Sequence, residues 1–251
     1  MYVPIGTLST GGIVAIRVRA WQGGEMEPIR ILHQDEHCVV VDKPSGVPVH
    51  RSSEHRDAGV PLLQRTRDAV GMHVYPVHRL DRPVSGVVLF ALSSAAAAAF
   101  QGAMTEGDCV KEYCALVRGA VASPGCSERA LTNRDTGRIQ EAFTEWVPLG
   151  GWTVPLHGPL SLLQVRIRTG RRHQIRRHLA HERHAVLGDT THGKGVINRF
   201  MREEFGLGRI FLHAARLDLA HPETGARLRV DSGLPPALEG VLEALKSQAE
   251  G

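Results

Sequence analysis

The chain is poor in cysteine, and its four cysteines, Cys38, Cys109, Cys114 and Cys126, include no CxxC pair. Spacing of this kind excludes a disulfide-dense scaffold and a zinc site built from cysteines, and it suits free thiols in a reducing, cytoplasmic setting. Long apolar runs are also missing. No stretch approaches the roughly 20 apolar residues of a spanning helix, and no charged n-region followed by an apolar core opens the sequence, so membrane and secreted readings fall away. Aromatic residues make up only 5% of the chain, with three tyrosines among them.

The remaining composition is that of a globular protein. With 251 residues, 42% hydrophobic and 22% charged, the chain can bury a substantial core. Residues 1–27 carry five glycines and no acid before Glu25, and are read as a loosely attached leader. Residues 28–251 are read as one domain, because neither a repeat nor a linker interrupts them.

Within that domain, Ile29 to His33 and His37 to Pro44 form two β-rich runs around a turn at Gln34-Asp35-Glu36. Helical spacing runs from Val60 to Val70 and stops at Gly71, whereas GVVLFAL from Gly86 is a buried-strand type of run. Ser93 and Ser94 cap an alanine-rich helix reaching about Thr105. Strand patterns follow at 112–117, 141–147, 160–167, 210–219 and 227–230, with helices at about 172–182, 196–205 and 235–246. Many strands, hairpin-like links and no regular βαβ alternation predict an α+β fold around a mixed, largely antiparallel sheet.

The net charge of +4 is modest but unevenly distributed. Between Gln164 and His184 stand seven arginines (Arg166, Arg168, Arg171, Arg172, Arg176, Arg177 and Arg183) against the single acid Glu182. Such a stripe fits a polyanion such as nucleic acid, the alternative being a solvated face. His173, His178, His181 and His184 lie in the same segment. They form no HExxH pattern, and their cationic surroundings disfavour a dication, so no metal is assigned to them.

Asp81 stands in His78-Arg79-Leu80-Asp81-Arg82, in a turn before the apolar strand. Flanking guanidinium groups favour an anionic carboxylate, the form a nucleophile needs, and the same pattern also suits a structural salt bridge. The HRLD string occurs in kinase catalytic loops, but no glycine-rich loop, DFG or APE segment accompanies it here. Tyr113 lies near the start of the strand KEYCALVRG, where packing alone would account for it. Lys43-Pro44-Ser45-Gly46 reads as a turn.

In this order, KPSGVPVH, HRLDRPVSGVVLFA, KEYCALVRG, TGRRHQIRRHLA with GD and HG following, and LHAARLDLAHP resemble the RluA-type family of pseudouridine synthases from about Ile29 to Val230. VHRSSEHRD at 49–57 and RRHLAHERHAVLGDTTHG at 176–193 look most like the members acting on tRNA uridine 65. No S4 RNA-binding domain precedes the catalytic part, which again favours tRNA over rRNA.

The resemblance implies a bent sheet crossed by a cleft, with Asp81 as the nucleophile on its floor. Tyr113 would stack on the flipped uracil, Arg176 would pair with Asp81, Arg79 would help expel the base, and Leu179 and Ile175 would supply apolar wall. Arg82, Arg171, Arg172, His173 and Arg177 would contact RNA. It implies a monomer with no cofactor, metal or nucleotide. Val84 stands where the family commonly has threonine, which removes a hydroxyl that would brace the turn. An rRNA substrate and a non-catalytic RNA-binding homologue are the alternatives. A hydrolytic glycosidase would want two carboxylates, and only Asp81 stands out.

Overall fold

The computed structural model describes residues 28–51 and 59–250. The leader read over 1–27 and most of the 49–57 segment lie outside the described residues. Strand β1 (Arg30–Gln34) and strand β2 (Cys38–Lys43) form an antiparallel hairpin. Its turn is held by Asp35, whose Oδ1 accepts the amides of His37 at 2.7 Å and Cys38 at 2.8 Å. Helix α1 (Leu62–Val70) ends at Gly71, which takes the left-handed conformation (φ 74°) that a helix C-terminus asks of glycine.

Strands β3 (Tyr75–Pro76) and β4 (Ser85–Ala91) precede helix α2 (Ser94–Ala103), whose cap Ser93 accepts the Ala96 amide at 3.0 Å. Then come β5 (Val110–Arg118), β6 (Gly125–Ser127), β7 (Leu131–Thr132), β8 (Ile139–Gln140), β9 (Thr144–Val154) and β10 (Gly158–Ile167). Helices α3 (Gln174–His181) and α4 (Gly195–Phe205), strands β11 (Leu212–Ala220) and β12 (Arg227–Asp231), and helix α5 (Pro236–Glu250) complete the chain.

The main sheet runs β1-β2-β4-β11-β5-β10-β9-β6, with β3 added to β4 and β12 to β11. Its pairings are antiparallel apart from β4 with β11, so the fold is α+β with a mixed sheet. Alternation along the central strands feeds two cores. Val87, Leu89 and Ala91 of β4 pack with Ala96, Ala97 and Phe100 of α2 on one face. Val88 and Phe90 face the opposite way, into a cluster with Leu62 of α1 and Ile175 and Leu179 of α3. Every residue of β4 is buried, which is why its sequence is a continuous apolar run. A third cluster joins Leu116, Leu160 and Leu162 to α4 and α5.

The parallel join is narrow: His213 opposes Ser85, and Ala214 opposes Gly86. At Gly86, φ is +113° and a Cβ would lie 2.1 Å from the Ala214 carbonyl oxygen, so only glycine lets the two backbones meet. A side-chain chain follows the same join. Arg209 Nη2 donates to Ser85 Oγ at 2.7 Å, and Ser85 lies 2.8 Å from His213 Nδ1. His213 Nε2 reaches the Ser232 carbonyl at 3.1 Å. Because a carbonyl only accepts, Nε2 carries the ring proton and the serine hydroxyl donates to Nδ1.

Candidate active site

Asp81 occupies a tight turn closed by the Val84 amide donating to the Asp81 carbonyl at 3.0 Å. The KPSG segment clamps this turn from below. Lys43, fully buried, donates from Nζ to the carbonyls of Pro44 (3.0 Å), Val47 (2.7 Å) and Arg82 (3.0 Å). Ser45 Oγ donates to the Pro83 carbonyl at 2.7 Å, and the Gly46 amide to the Arg82 carbonyl at 2.8 Å. The hydroxyl that Val84 lacks is therefore not needed as a brace, and Val84 itself is buried beneath the turn. Burial, reinforced by the nearby Arg209 charge, pulls the Lys43 pKa down.

The two arginines that flank Asp81 in sequence are not its partners: among the described residues neither forms an ion pair with it. Arg82 is exposed and donates from Nε back to the Gly46 carbonyl at 3.0 Å. Arg79 is exposed at the pocket rim. The cation at the carboxylate comes from α3, where Arg176 Nη1 donates to Asp81 Oδ2 at 2.9 Å. Arg176 is 4% exposed, and its guanidinium is fixed by a bidentate pair with Asp189, at 2.8 Å to each oxygen. Asp189 Oδ1 also accepts the amides of Thr191 and His192 at 2.8 and 3.0 Å, and these bonds with Arg176 hold its pKa below the usual carboxylate value in spite of burial. Asp189 has no role in the sequence reading, and its only trace there is the GD of Gly188-Asp189.

His173 precedes α3 in the left-handed region (φ 55°), unusual for a side chain with a Cβ, and its Nε2 is 3.6 Å from Asp81 Oδ2. Its Nδ1 meets His192 Nε2 at 3.0 Å. Burial outweighs the attraction of Asp81 and brings the His173 pKa to about 4, so the ring is neutral near pH 7 and the contact is not an ion pair. Tyr113 on β5 is buried on the opposite wall, where burial and the Asp81 charge push its phenol pKa up.

These groups surround one pocket, lined by Arg79, Leu80, Asp81, Val84, Tyr113, Ile167, Gly170, Arg171, His173, Gln174, Ile175, Arg176 and Leu212. Ile175 contributes wall, but Leu179, one turn further along α3, is fully buried in the core and does not line the pocket. Replacing Leu179 with alanine would cost about 2–5 kcal/mol through its cavity.

The arginine stripe is not one free face. Helix α3 begins at Gln174, after Arg171 and Arg172. Arg176 turns inward, Arg166 pairs with Glu112 at 3.0 Å, Arg168 lies over the Phe143 ring, and Arg172 stands 3.7 Å from Asp135. Arg171 donates to the Glu141 carbonyl at 2.9 Å and Arg177 to the Thr132 carbonyl at 3.1 Å. Folding brings acids from distant segments against a run that looks unopposed in one dimension.

The site is thus a pocket bordered by a carboxylate that a buried arginine holds in place. Residues 37–181 match the RNA pseudouridylate synthase family model, and the chain belongs to that family. It is 38% identical over 230 residues to tRNA pseudouridine synthase C of Vibrio cholerae, covering 85% of this chain and 94% of that one. It is also 38% identical over 231 residues to the protein of the same name from Yersinia pestis, covering 85% and 90%. The human RNA Pseudouridylate Synthase Domain Containing 1 structure superposes with a TM-score of 0.67 at 25% identity, over 92% of this chain and 98% of that one. Among the described residues, no helix is long and apolar enough to cross a membrane.

Proposed function

We propose that this protein isomerises uridine 65 of tRNA to pseudouridine with Asp81 as the nucleophile. The observation that carries this reading is the clamped Asp81 turn, whose carboxylate meets Arg176, itself braced by Asp189. The tRNA substrate follows the relatives that the chain spans nearly end to end.

The reaction breaks the N1–C1′ bond, turns the uracil and joins C5 to C1′, so the product has the composition of the substrate. Asp81 either attacks C1′ or removes the C2′ proton to give a glycal. In both routes Arg176 occupies Oδ2 and fixes the carboxylate plane, leaving the other oxygen for the sugar. The detached uracil must remain in place, and Tyr113 provides the stacking surface while Val84, Ile175 and Leu212 enclose it. The C5 proton is then lost to a water or to Tyr113.

A base in a stem must leave its stack, at a cost of a few kcal/mol offset by stacking and phosphate contacts. Arg79, Arg171 and His173 at the pocket, with Arg82, Arg172 and Arg177 around it, form the RNA-facing surface. Soluble tRNA substrate and the cytoplasm are the corresponding setting, with the protein acting as a monomer.

Purified wild type and Asp81→Ala, incubated with total tRNA lacking the modification, are compared by carbodiimide mapping. A stop at uridine 65 with wild type and none with the variant is expected. No product from wild type on tRNA, or product only on rRNA, overturns the substrate. Equal product from the variant overturns the nucleophile.

A further inference from the structure

A second aspartate-centred cluster lies at the far end of β2, five residues from the Lys43 that supports the Asp81 turn, about 16 Å along the strand. His33 Nε2, Asp35 Oδ2 and Cys38 Sγ all lie within 4.8 Å of one another. A fourth side chain approaches Asp35 from the turn after β11: His221 Nε2 is 3.3 Å from Asp35 Oδ2. His221 is buried, held edge-on between the rings of His37 and Phe100, yet its Nε2 makes no hydrogen bond. A buried polar nitrogen aimed at a carboxylate without bonding to it is costly and calls for a ligand.

We infer that His33, Asp35, Cys38 and His221 form a binding site for a thiophilic divalent transition metal of the zinc class. Two imidazoles, one carboxylate and one thiolate are a zinc donor set, and they neutralise a dication. It is a mixed site, distinct from the cysteine-only site that cysteine spacing excludes. Tetrahedral zinc holds its donor atoms about 3.3–3.8 Å apart, so the three hairpin ligands need a closure of roughly 1 Å.

Asp35 is oriented for monodentate binding, because the amides of His37 and Cys38 occupy Oδ1 and leave Oδ2 turned to the cluster. Without a metal, Oδ2 receives His33 Nε2 at 2.8 Å and the Cys38 thiol at 3.5 Å, protons that a dication would displace. His221 Nδ1 now accepts long contacts from the amides of Glu223 and Thr224, at 3.2 and 3.3 Å. Binding through Nε2 moves the ring proton to Nδ1, so the exposed turn at 222–225 must give slightly. Half-exposed His33 provides the route in from solvent. The bound ion would tie the β1–β2 hairpin to the β11–β12 turn, segments nearly two hundred residues apart.

The test uses the full chain, metal-stripped, titrated with cobalt(II) and then with zinc. One equivalent of cobalt is expected to give tetrahedral d–d bands and a sulfur-to-metal charge-transfer band, both erased by zinc. Zinc should raise the unfolding midpoint by roughly 5 °C. Cys38→Ser should remove the charge-transfer band, and His33→Ala, at a half-exposed position, should weaken binding at least about tenfold while leaving the circular dichroism unchanged. Absence of the sulfur band in folded wild type, or its persistence in Cys38→Ser, overturns the site. Unchanged affinity in His33→Ala overturns the ligand assignment.

Discussion

Asp81 and Asp35 are both turn aspartates beside a strand of the same sheet, and both meet several potential partners, yet their surroundings are opposite. Asp81 faces a guanidinium that never gives up its charge, so one oxygen is fixed and the anion is already balanced. Asp35 faces two imidazoles and a thiol, groups that give up protons to a metal. The chemistry open to a carboxylate is thus set by whether its neighbour is a permanent cation or a displaceable donor.

Four measurements would break or sharpen that contrast. The largest effect is expected from Asp81→Asn, which keeps the shape of the turn and removes the proposed nucleophile: pseudouridine formation should fall by at least about 10³-fold with tRNA affinity retained. Next is Asp189→Asn. It leaves the buried Arg176 short of one counter-charge, and denaturant unfolding should show a loss of about 3 kcal/mol together with reduced turnover.

Asp35→Asn should cost only about 1 kcal/mol in metal-free protein, since its amide oxygen can still accept the hairpin amides, and turnover should be unchanged. A large loss of activity there would erase the distinction between the two sites. The last measurement is the pH dependence of stability. His173 has a folded pKa of about 4 against 6.5 unfolded, and His78, half-buried and accepting the Leu89 amide at 3.0 Å, is likewise at about 4. The unfolded chain binds more protons between these values, so stability should fall as pH drops from about 6.5 to about 4. His78→Gln should flatten part of that slope in urea midpoints measured against pH.

Much of this architecture is legible in one dimension because local rules agree with tertiary packing. The β1–β2 hairpin, the Ser93-capped α2 and the fully buried β4 follow from turn residues, capping and an apolar run. The length of β9 does not, since Pro148-Leu149-Gly150-Gly151 reads as a break; the strand absorbs it with an irregular register opposite Leu162 and Leu163. Two-residue strands such as β3 and β7 leave no periodicity to detect. At the site, Asp81, Tyr113 and Arg176 were accessible through ordered motifs. The bracing by Asp189 and Lys43 was hidden because hydrogen bonds across the sheet leave no spacing pattern, and the acids that meet several of the arginines come from elsewhere in the chain.

The two-pair join between β4 and β11 has a mechanical consequence. Asp81 hangs from the β4 side of the sheet, whereas Tyr113 belongs to the β5 side. Asp81 and Tyr113 therefore lie on the two sides of a join made by two backbone pairs, Ser85 with His213 and Gly86 with Ala214, and tied by the Ser85–His213 hydrogen bond. The span between these two pocket-lining residues is thus set by how closely the two backbones meet at Gly86 and Ala214.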